Sequence, residues 1–408
     1  MRATNEDSIS IVAGVSKPSR SMAGRALKRL RVSREKIMKT RATSFLFVAM
    51  TLIAFASCSR DPRSLDVRVD EAIANGLRKH DVKGASVALI LSDDSLRCYV
   101  GGYSHDSVAV RPEMLIAAGS ITKNMVAALV LQLAEEGLLS LEDSLHRWLP
   151  SYPKVDSNIT VRQLLAHTSG LFMFWDNQKI WDDLIAYRDS VFTPEAVLTY
   201  LRDPYFPPGK GFHYSNTNYL LLAMIVTRAT HSSLSAELRR RFWVPLGLEC
   251  TFLSMEEKVP DRLLHVWGDN FEKGTPVRDI THLPRTSHET ITYGSSGVFI
   301  TPGNLARWAH ALFGGKVLKP SSLSMMLDID DDDYGLGVHR FKSGLVPGGQ
   351  AIGHGGGNIG MMTYMIHWRE RRVSLVVTVN AFNGKCLNDI TEDVAEVVID
   401  HLSSPVNN

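Results

Sequence analysis

The stretch Gly119-Ser120-Ile121-Thr122-Lys123-Asn124-Met125-Val126-Ala127-Ala128-Leu129-Val130-Leu131-Gln132-Leu133-Ala134 opens on a serine and, three residues on, a lysine. Residues three apart on a helix share a face, so a hydroxyl nucleophile and an amine base meet there. The apolar periodicity predicts a helix over 120–136, ended by Gly137. Ser120 is thus expected at a helix N-terminus, where unpaired N–H groups stabilise negative charge. The apolar setting of Lys123 favours its neutral amine, the form that accepts the serine proton. The chain contains the same spacing twice more. Ser33-Arg-Glu-Lys36 lies in a basic leader, and Ser151-Tyr-Pro-Lys154 holds Pro153, which opposes the helical turn. A capping serine beside a surface lysine is the bland alternative for Ser120 and Lys123.

Two further elements favour chemistry. Tyr214-Ser-Asn216 occurs in a Pro/Gly-rich loop, Phe206 to Tyr219, just before an apolar helix expected from Asn218 to Thr230. Loops held by a scaffold carry catalytic side chains. A tyrosine beside a lysine ammonium would shuttle protons, its pKa lowered by that charge. His354-Gly-Gly-Gly357 enters the last strands, and its small residues let a substrate backbone come close to a strand edge. Lys342-Ser-Gly344 competes with it but falls between two strands, where a turn is simpler. No GxSxG elbow and no Walker pattern is present.

Around these motifs, residues 65–79 read as an amphipathic helix and 85–100 as a hairpin about Asp93-Asp94. Thr160-Val-Arg-Gln163 is a capping box, and Pro194–Leu201 is another short helix. Strands are expected at Tyr334–Val338, Met361–Trp368 and Val373–Val379, with a final helix over 387–402. Strands at both ends with helices between predict an α/β (α+β) fold. Its antiparallel sheet is built from both termini and flanked by helices, with an all-helical insert at about 124–290. A cleft is expected where insert meets sheet.

The 408 residues are 44% hydrophobic and 22% charged, which excludes a disordered, collagenous or multi-span membrane chain. Residues 1–57 hold 11 Lys and Arg against 3 Asp and Glu, and the remainder 34 against 40. The basic charge is confined to the leader, so no nucleic-acid partner is expected. Phe45–Ala56, a largely apolar run of 12 residues after Lys39 and Arg41, is too short to span a bilayer and reads as a secretory signal. Phe55-Ala-Ser-Cys58 resembles a bacterial lipobox, which implies cleavage before Cys58 and a lipid on its sulfur. A plain signal peptide is the alternative. Met38 would begin a signal of ordinary length, so residues 1–37 suggest a misplaced start. Residues 58–66 form a tether. Cys98, Cys250 and Cys386 are too few and too scattered for a disulfide framework. No metal-ligand spacing is present, and Asp330–Asp333 reads as a solvated loop.

Ser120-x-x-Lys123, Tyr214-x-Asn216 and His354-x-Gly356, in this order, resemble the serine β-lactamase and penicillin-binding superfamily. The branch they resemble holds class C β-lactamases, D-alanyl-D-alanine carboxypeptidases and related esterases. Leu165-Ala-His-Thr-Ser-Gly-Leu171, Gly294-Ser-Ser-Gly-Val298 and Tyr334-Gly-Leu-Gly337 extend the likeness over about 67–402. The resemblance implies acyl transfer through a serine ester, with no cofactor and with a small-molecule or peptide substrate. It implies Ser120 as nucleophile, Lys123 and Tyr214 as proton handlers, and Asn216, His354 and Gly356 as substrate contacts, Asn216 also holding the lysine. It implies backbone N–H of Ser120 and Gly357 as oxyanion hole. Lipid anchoring would place the chain in a bacterial envelope, facing the periplasm or exterior. Two alternatives stand: a class C-like β-lactamase, and a non-catalytic binder of peptidoglycan peptides. Where β-lactamases usually carry Lys-Thr-Gly, His354-Gly355-Gly356 offers only a partial charge at neutral pH, which argues against antibiotic hydrolysis. His167 reads as a structural, hydrogen-bonded histidine. Leu171–Trp175 and Trp181 either wall an acyl pocket or pack a lid.

Overall fold

The structure, a computed structural model, describes residues 63–269, 276–329 and 331–403. The leader, the apolar run and Cys58 lie outside the described residues.

Ser64 caps helix α1 (Leu65–His80) by accepting from the Val67 N–H. Strands β1 (Gly84–Ile90) and β2 (Leu96–His105) form the expected hairpin, followed by the short β3 (Val108–Ala109). The chain then crosses into the insert through β4 (Ile116–Ala117) and helix α2 (Thr122–Glu135). The insert holds the buried helix α3 (Asn216–Thr230) and strand β5 (Thr251–Leu253), and strand β6 (Val298–Ile300) follows it. Helix α4 (Pro302–Phe313) leads back to strands β7 (His339–Phe341), β8 (Ala351–Asn358), β9 (Met361–Trp368) and β10 (Val373–Val379), and helix α5 (Gly384–Leu402) closes the chain.

The main sheet has seven antiparallel strands in the order β3-β2-β1-β10-β9-β8-β7. The two termini meet in its middle, where Ala85 pairs with Val379 and Ile90 with Ser374. Both faces of β1 are buried because side chains alternate across a strand. Ala85, Val87 and Leu89 pack with α1 and α5, and Ala88 and Ile90 face the core shared with α4 and the insert. Each buried Val, Leu or Ile contributes roughly 1.5–3 kcal/mol. In α3 every residue from Asn216 to Val226 is buried, as its all-round apolar pattern requires.

Two expectations are corrected. Tyr334–Val338 is no strand. Gly337 adopts φ +73, and a side chain there would meet the Ala127 Cβ of α2 at 2.4 Å, so the segment bends onto that helix. The insert is not wholly helical either: its strand β5 pairs with β6, which pairs with β4, in a small three-stranded sheet. These strands are two or three residues long, too short for periodicity to reveal.

Strand β8 matters most for function. Strand β7 pairs only with Ala351, Ile352 and Gly353, so from His354 to Asn358 the outer edge of β8 has no strand partner among the described residues.

Candidate active site

Ser120 sits in a 3-10 turn, Gly119–Ile121, that runs directly into α2. The turn is pressed against the open edge of β8, and the glycines make this possible. Gly119 has φ +56, and a Cβ there would fall 2.6–2.9 Å from the backbone O, N and C of Gly357. A Cβ on Gly356 would fall 2.0 Å from the Ala118 carbonyl oxygen. Ser120 and Gly357, the two expected oxyanion donors, are thereby brought together.

Lys123, one turn along, is fully buried. Its Nζ lies 2.9 Å from Ser120 Oγ and donates to the Ser295 carbonyl at 2.8 Å. Burial alone pushes its pKa far below that of an ordinary lysine, with no carboxylate beside it to restore the charge. A neutral amine has one lone pair, and Ser120 O–H is placed to donate to it. The ring centres of Tyr214 and Tyr219 lie 5.0 and 5.8 Å from Nζ, so an ammonium formed there would meet aromatic faces. Asn124, the next residue, is locked by its amide donating to the Gly337 carbonyl and accepting from Trp308 Nε1, both at 2.9 Å.

Tyr214 is held by His167. The His167 carbonyl accepts from His213 N–H at 3.0 Å, and its ring Nδ1 accepts from Ser215 N–H at 3.1 Å and from Asn218 Nδ2 at 2.8 Å. The backbone is thus pinned on both sides of Tyr214. Two donors on Nδ1 put the ring proton on Nε2, and the ring lies 4.3 Å from that of Tyr214. His167 is structural, as its motif suggests. Tyr214 itself is close enough to the Ser120 side chain for its phenolate to be favoured slightly. Its expected lowered pKa is not found: burial pushes the phenol up, and the neutral Lys123 supplies no charge to oppose this. The site at rest therefore pairs a neutral amine with a protonated phenol.

Asn216 begins α3 beside this loop. Its N–H points to Met173 Sδ at 3.1 Å, and its buried Oδ1 has no partner. The expected hold on Lys123 is not made, and the Ser295 carbonyl takes that place. His354 departs further from expectation. It is 1% exposed, its Nδ1 donates to the Gly355 carbonyl at 2.6 Å, and its Nε2 accepts from the Tyr334 hydroxyl at 3.2 Å. Burial keeps it far below the ordinary histidine pKa, and His339 is held down at about 4. His354 is a neutral packing group, so the partial charge expected for a substrate carboxylate is absent. The Phe172 and Phe174 side chains are core residues, while Met173, Trp175 and Trp181 remain half-buried.

The model of the family described as Beta-lactamase matches residues 69–398. The chain belongs to the beta-lactamase family. It is a serine hydrolase of that family. Penicillin-binding protein 4* of Bacillus subtilis (strain 168) is 29% identical over 326 residues, covering 74% of this chain and 69% of that protein. Esterase EstB of Burkholderia gladioli is 30% identical over 274 residues, covering 63% and 68%. Among solved structures, a D-stereospecific amidohydrolase from Streptomyces sp. aligns with a TM-score of 0.70 and 25% identity, over 79% of this chain and 97% of that one.

Several site residues of this beta-lactamase-family chain carried no sharp role in the sequence. Ser295 acts through a carbonyl that any residue possesses, so no side-chain signal marks it. Tyr334 and His339 gather around Tyr214 from separate segments, and Tyr219 packs against the His167 ring that holds it. Asn124 follows the lysine directly, and a buried amide in an apolar helix was its one available signal. A cleft of about 610 Å3 lined by Tyr152, Phe192, Met224 and Tyr293 lies elsewhere in the insert and includes none of Ser120, Lys123 and Tyr214.

Proposed function

We propose that this chain hydrolyses esters or D-amino-acid peptides and amides through an acyl-serine intermediate, as a lipid-anchored protein of the bacterial envelope. The observation that carries the catalytic part is the buried, neutral Lys123 amine 2.9 Å from Ser120 Oγ.

In this scheme Ser120 Oγ attacks the scissile carbonyl carbon and its proton passes to Lys123. The carbonyl π pair moves to oxygen, where the N–H groups of Ser120 and Gly357 receive it. Such donors each lower a barrier by about 3 kcal/mol. The tetrahedral adduct collapses, the leaving group takes the Tyr214 hydroxyl proton, and the Lys123 ammonium restores it. Water then adds to the ester as its proton passes to the neutral Lys123 amine, and the adduct collapses with Ser120 leaving on the proton that the Lys123 ammonium returns. The lone acceptor at Asn216 Oδ1 suits an N–H on the substrate. The names of Esterase EstB and of the D-stereospecific amidohydrolase support the two substrate classes.

The test is intact-mass labelling with a fluorophosphonate, with a penicillin and a short-chain ester in parallel. Ser120→Ala should abolish labelling while the fold persists, and undiminished labelling of that variant overturns the mechanism. The anchor rests on the lipobox-like Phe55-Ala-Ser-Cys58. Cys58→Ala should move the protein from membrane to soluble fraction. A wild type found soluble and without lipid overturns that part.

A further inference from the structure

Phe382 is 60% exposed, the one exposed phenylalanine among the described residues. It lies between β10 and α5, on a backbone pinned at both sides. Before it, Asn380 accepts from Trp267 N–H at 3.0 Å and Ala381 bridges Trp267. After it, the Asn383 side chain caps α5 by accepting from Cys386 N–H at 3.0 Å. The ring is therefore presented by a fixed loop, and its position is specific. Phe382 Cε2 lies 3.0 Å from the point a Cβ on Gly357 would occupy. Gly357 in turn touches Gly119, the neighbour of Ser120. Met362, paired opposite Gly357, is partly buried and extends the apolar surface.

The exposed ring thus borders Gly357, the residue packed against the turn that carries Ser120, and an apolar group docked there would take it out of water. The bases on the other side of the site, Lys123, His339 and His354, are buried in their neutral forms, so no charge there attracts a carboxylate. We propose that Phe382 is a specificity-determining residue that packs against an apolar, aliphatic or aromatic substituent flanking the scissile carbonyl. This rests on the acyl-transfer reading of Ser120 and names the substrate class within it. Glycine at 357 leaves room for the Phe382 ring against the strand, and the Tyr364 ring lies 3.2 Å from the point a Cβ on Gly355 would occupy.

Two ester series test it. One varies the acyl chain from acetyl to hexanoyl and phenylacetyl on a common p-nitrophenyl leaving group. The other keeps acetyl and varies the alcohol from ethyl to hexyl and benzyl. The wild type should show kcat/KM rising with apolar size in at least one series. Phe382→Ala should lower that long-to-short ratio about tenfold, and Phe382→Tyr, which keeps the ring, should retain it. The proposal is overturned if Phe382→Ala leaves both ratios within twofold of wild type, or if the wild type shows no rise in either. Failure of the acyl-transfer reading looks different: no Ser120-dependent labelling or turnover in the wild type at all.

Discussion

The Lys123 amine lies 5.0 Å from the centre of the Tyr214 ring and 2.9 Å from Ser120 Oγ. Because both are buried, the lysine is held without its proton and the tyrosine with it. One is a base at rest and the other an acid, which is the division of labour acyl transfer requires.

The activity of Lys123 should therefore not depend on alkaline pH. We expect kcat/KM for an ester to reach its plateau well before pH 10 and to fall on the acid side as Lys123 takes a proton. Lys123→Met, similar in shape, should lower kcat/KM by about 10³-fold. A pH–rate profile still climbing tenfold per pH unit up to pH 10 contradicts the neutral-amine assignment.

Replacing His354 by the lysine usual in β-lactamases should not create a cephalosporinase. The His354 ring is enclosed and bonded at both nitrogens, so a cation there would be buried without a counter-ion. His354→Lys is expected to lose about 3 kcal/mol of stability and to leave the cephalosporin-to-ester ratio of kcat/KM no higher than wild type. Urea unfolding and the two rates decide this, and a raised ratio with unchanged stability would refute it.

His167→Phe removes the acceptor for Ser215 N–H and Asn218 Nδ2 while keeping a ring against Tyr214. An unmade buried hydrogen bond costs about 1–3 kcal/mol. With the tether on Tyr214 lost, kcat should drop about tenfold or more in a protein that still folds by circular dichroism. An unaltered kcat would show that the clamp is irrelevant to catalysis.

Stability should decline in mild acid. His288 and His367 are held down to about 3 and His339 to about 4, against about 6.5 in an unfolded chain. Below pH 6.5 the unfolded chain binds protons that the native state refuses, so stability falls as pH drops towards 4. His339 alone corresponds to a loss on the order of 3 kcal/mol by pH 4. Glu289, whose carboxyl is raised by burial, acts in the opposite sense and offsets a part. Thermal melts from pH 7.5 to 4 would reveal the slope, and a flat Tm across that range would contradict the burial of these rings.

Local chemistry was legible in the linear chain. The serine–lysine spacing, the apolar helices, the capping box and the Ala85–Val100 hairpin each depend on residues close in sequence, and each stands where expected. So did the grouping of Ser120, Lys123 and Tyr214, because three motifs with definite chemistry converged on one reaction. Charge state was not legible. Whether Tyr214 is lowered or raised, and whether His354 is a cation or a packing ring, depends on which distant segments enclose it. The enclosure of His354 comes from Tyr334 and His339, and that of Lys123 from Ser295, Tyr214 and Tyr219. The ring of Phe382 reached the site in the same way, through a loop after β10 that only the folded sheet sets beside Gly357. Sequence specifies which groups can react, since reactivity begins in the side chain. Tertiary packing decides which protons they hold, since desolvation is a property of surroundings assembled from many places in the chain.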